Sequence, residues 1–116
     1  MSEMIQNFVM SRFPIAGMAA YSVHTSNTVL QSQSLSRSLY AATTEQMLTS
    51  VVKNGLALLP PDGRPARYCW TFEAHQVFVA VRADGLALAL LMENNISVQL
   101  SSVKDVLQSF LELQEG

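Results

Sequence analysis

The sequence predicts a single α/β (α+β) domain, residues 1–116, whose sheet carries helices on both faces. Two runs lead to that class. Val77 to Val81 is apolar at five consecutive positions and Leu86 to Met92 at seven, the pattern of strands buried on both sides. Segments with a 3.6-residue apolar period stand before, between and after the strand-like runs, so helices are at hand to cover them. The 116-residue length and 49% hydrophobic content allow a core of ordinary size, with about two thirds of the unfolded surface removed from water.

Each element has its own signal. Ile5, Phe8, Val9 and Phe13 make one apolar stripe, which predicts a short helix over residues 2–13. Ser2 is placed to cap it, Glu3 suits its first turn and Pro14 stops it. A strand over 17–25 follows, with Met18, Ala20 or Tyr21, and Val23 as its inward candidates. Ser26-Asn27 marks a turn into a second strand over 28–35. That strand contains Gln31, Ser32, Gln33 and Ser34 in succession. So polar a strand belongs at a water-facing sheet edge.

A longer helix is expected with its core over 44–59 and room for an earlier turn near Arg37, with Thr43 and Gln46 as a capping box. Met47, Leu48, Val51, Val52, Leu56 and Leu59 give it a broad apolar stripe. Gly55 weakens its middle by about 1 kcal/mol relative to Ala, a place to end or bend. Pro60 to Gly63 breaks the chain, and 66–73 then alternates: Tyr68, Trp70 and Phe72 on one face, Arg67, Cys69 and Thr71 on the other. Ala74 to Gln76 is expected to connect to the strand over 77–82, and Asp84-Gly85 to turn it into the strand over 86–92. A closing helix over about 102–114 carries Val103, Val106, Leu107, Phe110 and Leu111 on one face, with Ser102 and Asp105 as its capping box.

Composition removes several functions. A net charge of −2 and seven scattered Lys and Arg do not make the basic stripe that neutralises phosphates, so no nucleic acid is expected. The longest apolar run has seven residues, whereas a spanning helix needs roughly 20, so no membrane insertion is expected. The N-terminus shows no basic-then-apolar signal, and the single cysteine, Cys69, excludes an internal disulfide. These observations point to the cytoplasm.

No constellation reads as catalytic, and the expected cofactor and metal complement is none. His24 and His75 have no ligand-rich neighbourhood in sequence and read as solvated turn histidines. Cys69, inside a strand with no base nearby, reads as a small buried hydrophobe. Asp62, Asp84 and Asp105 are accounted for by turns and caps. The glycines form no phosphate-cradling pattern.

The order helix, two strands, helix, three strands, helix resembles the Roadblock family of dynein light chains and GTPase regulators. The resemblance runs from Ile5 to Leu113. It rests on the Pro14-to-Gly17 step, the central helix after a polar hairpin, the Asp84-Gly85 turn and the closing amphipathic helix. It implies a five-stranded, mostly antiparallel sheet of order 2-1-5-4-3. It also implies a homodimer in which the third strands join edge to edge, with Met47, Val51, Tyr68, Trp70 and Phe72 at the interface. Members of the family serve as platforms for small Ras-like GTPases or as adaptors in larger assemblies, so those are the implied partners. The related profilin-like and longin folds share much of this order. A small-ligand sensor of that kind would show a pocket lined by Tyr21, Trp70 and Phe78.

Overall fold

The fold is that of a computed structural model, which describes residues 2–13, 15, 17–25, 28–35, 41–58, 65–72, 75–82, 84–93 and 100–113. The elements in chain order are α1 (Ser2–Arg12), β1 (Met18–Thr25), β2 (Thr28–Ser34), α2 (Ala41–Ala57), β3 (Ala66–Thr71), β4 (His75–Val81), β5 (Ala87–Glu93) and α3 (Leu100–Leu111). Every adjacent strand pair is antiparallel, and the sheet order is β2-β1-β5-β4-β3. The order implied by the Roadblock resemblance is the one observed.

The sheet separates two cores, as the doubly apolar runs require. On one face α1 and α3 bring Ile5, Phe8, Val9, Val103, Val106, Leu107 and Phe110 onto Tyr21, Val23, Leu88, Leu90 and Met92. On the other, α2 alone lays Leu48, Val51 and Val52 on Val77, Val79, Val81, Ala87, Ala89 and Leu91. Alternation along β4 and β5 sends neighbouring residues to opposite cores. Val77–Val81 of β4 and Ala87–Met92 of β5 are therefore apolar without a break.

Several expectations need correction. Helix α3 starts at Leu100, so Ser102 and Asp105 lie within it and do not form a capping box. Helix α2 starts at Ala41, which places Thr43 inside it and not at the cap. Gly55 does not end α2, which continues to Ala57; Tyr68 and Trp70 pack over it. His75 and Gln76 belong to β4 and not to a connection. The breaks read at Pro14, Ser26-Asn27 and Pro60 to Gly63 lie outside the described residues.

The Asp84-Gly85 turn is built as the sequence indicates. Gly85 takes φ +88°, which a side chain would oppose, and its N–H donates to the Arg82 carbonyl at 3.0 Å. Asp84 Oδ1 accepts from the Leu86 N–H at 3.1 Å and from Arg82 Nε at 3.2 Å. Arg82 also donates from Nη1 to the Phe110 carbonyl at 3.0 Å. The turn is thereby tied to the last turn of α3.

Candidate functional site: the β3 edge

The two sheet edges differ in kind. Strand β2 carries a bulge: Val23 faces Gln31 and His24 faces Val29, which leaves Leu30 without a partner. An extra residue kinks a strand and interrupts its ladder, a common protection for an edge. Strand β3 is regular, pairing from Ala66↔Val81 to Thr71↔Gln76. The Phe72 N–H donates to the His75 carbonyl at 2.8 Å, which fixes the phase of that ladder. Tyr68 and Trp70 share the phase of Phe72, so the backbone groups of Arg67, Cys69 and Thr71 face away from β4.

The structure brings Tyr68 and Trp70 together, with ring centroids 5.7 Å apart, half-buried against the C-terminal half of α2. They pack over Gly55, where a Cβ would lie 3.4 Å from Tyr68 Cδ2 and 3.7 Å from Trp70 Cη2, ordinary van der Waals contact. The Tyr68 hydroxyl donates to the Leu58 carbonyl at 2.9 Å, fastening β3 to the end of α2. Beside these rings Leu58 is 61% and Phe72 42% exposed. Among the described residues β3 pairs with β4 on one side only, and apolar surface continues off that edge onto α2. Of the α2 residues expected there, Met47 is partly buried against the core and Val51 lies fully inside it.

Cys69 is exposed, contrary to expectation. It sits at the sheet edge on the α1/α3 face, and Arg67 and Thr71 on that face are exposed too. Partial burial nonetheless pushes its thiol pKa up, against a hydrogen bond with Thr71 that lowers it.

His24 is the larger surprise, being 3% exposed where the sequence suggests a solvated turn residue. It projects from β1 toward the α2 face, opposite Ala87 of β5. Its Nε2 lies 2.6 Å from the Oγ of Ser22, which is fully buried. Burial lowers its pKa to about 4. A Ser–His contact of this length is the geometry of an activated nucleophile, but substrate has no access to a pair so enclosed. It serves to satisfy two buried polar groups. The available signal is the alternation Ala20-x-Ser22-x-His24, one small or polar face of a strand whose other face is apolar.

The pocket expected of a small-ligand sensor does not form. Tyr21 and Phe78 pack on the α1/α3 side and Trp70 on the α2 side. No cluster of three or more potential metal ligands occurs among the described residues, and no described helix is long and apolar enough to cross a membrane.

No protein-family profile matches the chain, and no curated protein matches it in sequence. Solved structures do resemble it. MglB of Myxococcus xanthus superposes with a TM-score of 0.60 at 11% identity, over 96% of this chain and 87% of that one. The gliding protein MglB of Thermus thermophilus gives 0.60 at 15%, over 95% and 82%. A Roadblock/LC7 domain from Streptomyces avermitilis gives 0.48 at 15%, over 94% and 92%, too loose to build on. At such identities the MglB likenesses establish a shared architecture: the chain has the α+β fold of MglB, with the strand order that the Roadblock resemblance implies.

Proposed function

We propose that this chain is a non-enzymatic, cytoplasmic, homodimeric scaffold or regulator that binds a small Ras-like GTPase or another protein assembly. The observation that carries the reading is the β3 edge: regular, open, and continuous with the exposed apolar side chains of Phe72 and Leu58. An edge of that kind favours pairing with another strand, and a two-fold axis beside it would join two sheets into one. Tyr68 of each copy would then face Trp70 or Tyr68 of the other, depending on register. Met47, Tyr68, Trp70 and Phe72 form this interface, while Val51 supports it from within the protomer. The paired α2 helices would offer the partner a broad surface.

The test is solution mass by light scattering. The expected mass is twice 12.7 kDa. Trp70→Asp is a poor probe, because it would strip packing from α2 within each protomer. Phe72→Asp and Cys69→Pro act on the edge itself; the proline removes an outward N–H and spares the β3–β4 ladder. Both should yield folded monomers. A wild-type monomer at micromolar concentration refutes the dimer. With the dimer in hand, failure to co-migrate with Ras-like GTPases in either nucleotide state removes the GTPase branch and leaves the assembly branch.

A further inference from the structure

If β3 is the dimer edge, its own limits fix where the second copy sits. The phase set by the Phe72–His75 bond leaves Arg67, Cys69 and Thr71 as the outward-facing residues of Ala66–Thr71. One step further out in that phase stands Pro65, which has no N–H to donate. At the other end the strand stops at Thr71, and β4 begins at His75. The usable edge is therefore short, and its midpoint is Cys69.

Two-fold symmetry narrows the choice. In an isologous contact residue i opposes residue j and j opposes i. Outward residues must oppose outward residues, because the backbone groups of Tyr68 and Trp70 already serve the ladder with Val79 and Val77. The axis therefore crosses the strand at a residue and not between two. An axis at residue 69 opposes Arg67 to Thr71, Cys69 to Cys69 and Thr71 to Arg67, and each pair exchanges both backbone bonds. With the axis at residue 68 or 70, one of these three pairs is lost from the strand.

Charge and ring packing agree with the midpoint. Arg67 is the one charged side chain of β3. An axis at residue 69 holds the two guanidinium-bearing residues about 14 Å apart along the sheet, beyond a Debye length of about 10 Å. An axis at residue 68 brings them to about 7 Å, where like charges repel. On the α2 face, the midpoint register sets each Tyr68 against the Trp70 of the other copy, a cross-strand aromatic pair. We propose that a second copy pairs with β3 about a two-fold axis through residue 69, with Arg67 opposite Thr71 and Tyr68 opposite Trp70. This register rests on the proposed dimer.

Cys69 reports the axis, being the chain's one cysteine and exposed. Opposed residues that exchange both bonds have Cα atoms about 5.5 Å apart, within the span of a disulfide. Moving the axis by one residue opens the pair to about 7–8 Å, beyond that span. Light scattering first fixes the mass of each sample, and diamide is then added. Two opposed thiols give their hydrogens to the N=N bond of diamide, which becomes the hydrazine, and one S–S bond forms between the copies. The wild type should run as a covalent dimer on a non-reducing gel. Cys69→Ser/Arg67→Cys and Cys69→Ser/Thr71→Cys change exposed positions only. Each alone should give at least tenfold less covalent dimer than the wild type, and an equilibrated mixture of the two should restore it. Disulfides joining positions 67 and 69, or 69 and 71, in mixtures of either variant with wild type would move the axis to residue 68 or 70 and overturn the proposal. A sample of dimer mass that forms none of these bridges overturns the register and leaves the dimer standing. A monomeric mass removes the dimer, and the register with it.

Discussion

Gly55→Ala should stabilise this protein, although the glycine lies buried under two aromatic rings. Glycine in a helix interior costs about 0.8–1.0 kcal/mol relative to alanine, because its unfolded backbone has more freedom to lose. Position 55 is two residues short of the end of α2, so most of that difference should be recovered. Against it stands the added methyl. Its nearest neighbours would be Tyr68 Cδ2 at 3.4 Å and Trp70 Cη2 at 3.7 Å, which is ordinary van der Waals contact and adds a little dispersion energy. Tyr68 is held by its bond to the Leu58 carbonyl and has little room to retreat, so the net gain is set at about 0.7 kcal/mol. For a domain of this size that is a rise of about 3 °C in melting temperature. Calorimetry of both proteins at one concentration measures it. Gly55→Leu supplies the contrast: its larger side chain must displace the rings and should cost about 2 kcal/mol. A Gly55→Ala protein that melts below the wild type would refute the argument, since it would mean that the rings press on the helix with no space for a methyl.

Three further outcomes follow from single residues. His24 binds its proton less readily when folded, with its pKa lowered from 6.5 to about 4. Its contribution is therefore complete above pH 6.5 and is lost as pH falls toward 4, by on the order of 2 kcal/mol once partial screening is allowed for. Urea unfolding at pH 7.5 and 4.5 reads this loss, and a Ser22→Ala/His24→Leu protein that kept the same pH slope would show that another group causes it. Arg82→Ala removes the bond to the Phe110 carbonyl, the pair with Asp84 at 3.0 Å and the contact over the Phe110 ring. It should cost about 1.5 kcal/mol, most of it from the charged bond at the helix end; a loss under about 0.5 kcal/mol in a urea titration would contradict that share. Cys69, though exposed, should react with iodoacetamide at pH 7.5 more slowly than free cysteine, because its raised pKa leaves less thiolate. Equal rates measured by mass spectrometry would argue against the shift.

How far the sequence speaks depends on the residue. The consecutive apolar runs of β4 and β5 could only be strands covered on both faces, and the Tyr68-x-Trp70 alternation could only be a strand with one dry side. Those readings rest on local period, which the fold preserves. The order of strands is not local, and it came from the resemblance in element order. Cys69 is misplaced by sequence reasoning because period 2 assigns a residue to a face without saying whether a helix lies above it; at β3 none covers that side. His24 is misplaced for the opposite reason. Its position near a turn suggests water, but β1 is the second strand in from the edge, and β2 and β5 flank His24 on either side. The capping boxes fail because Ser102 and Thr43 match a short motif within helices that begin one turn or less earlier. At the β3 edge, the aromatic side chains are legible, while their packing over Gly55 of α2 is not, because it joins segments distant in sequence.

The bulge at Leu30 bears on how large an assembly this chain can build. A sheet with two regular, exposed edges has no natural stopping point, since each added copy presents the edge that the next one needs. Here the ends are unequal. If β3 joins β3 across a two-fold axis, both good edges are consumed in one event, and what remains outside is the interrupted β2 of each copy. Identical molecules cannot propagate through it, and the growth law becomes that of a closed pair, saturating with concentration instead of running on to a fibre. One unpaired leucine thus acts as a chain terminator.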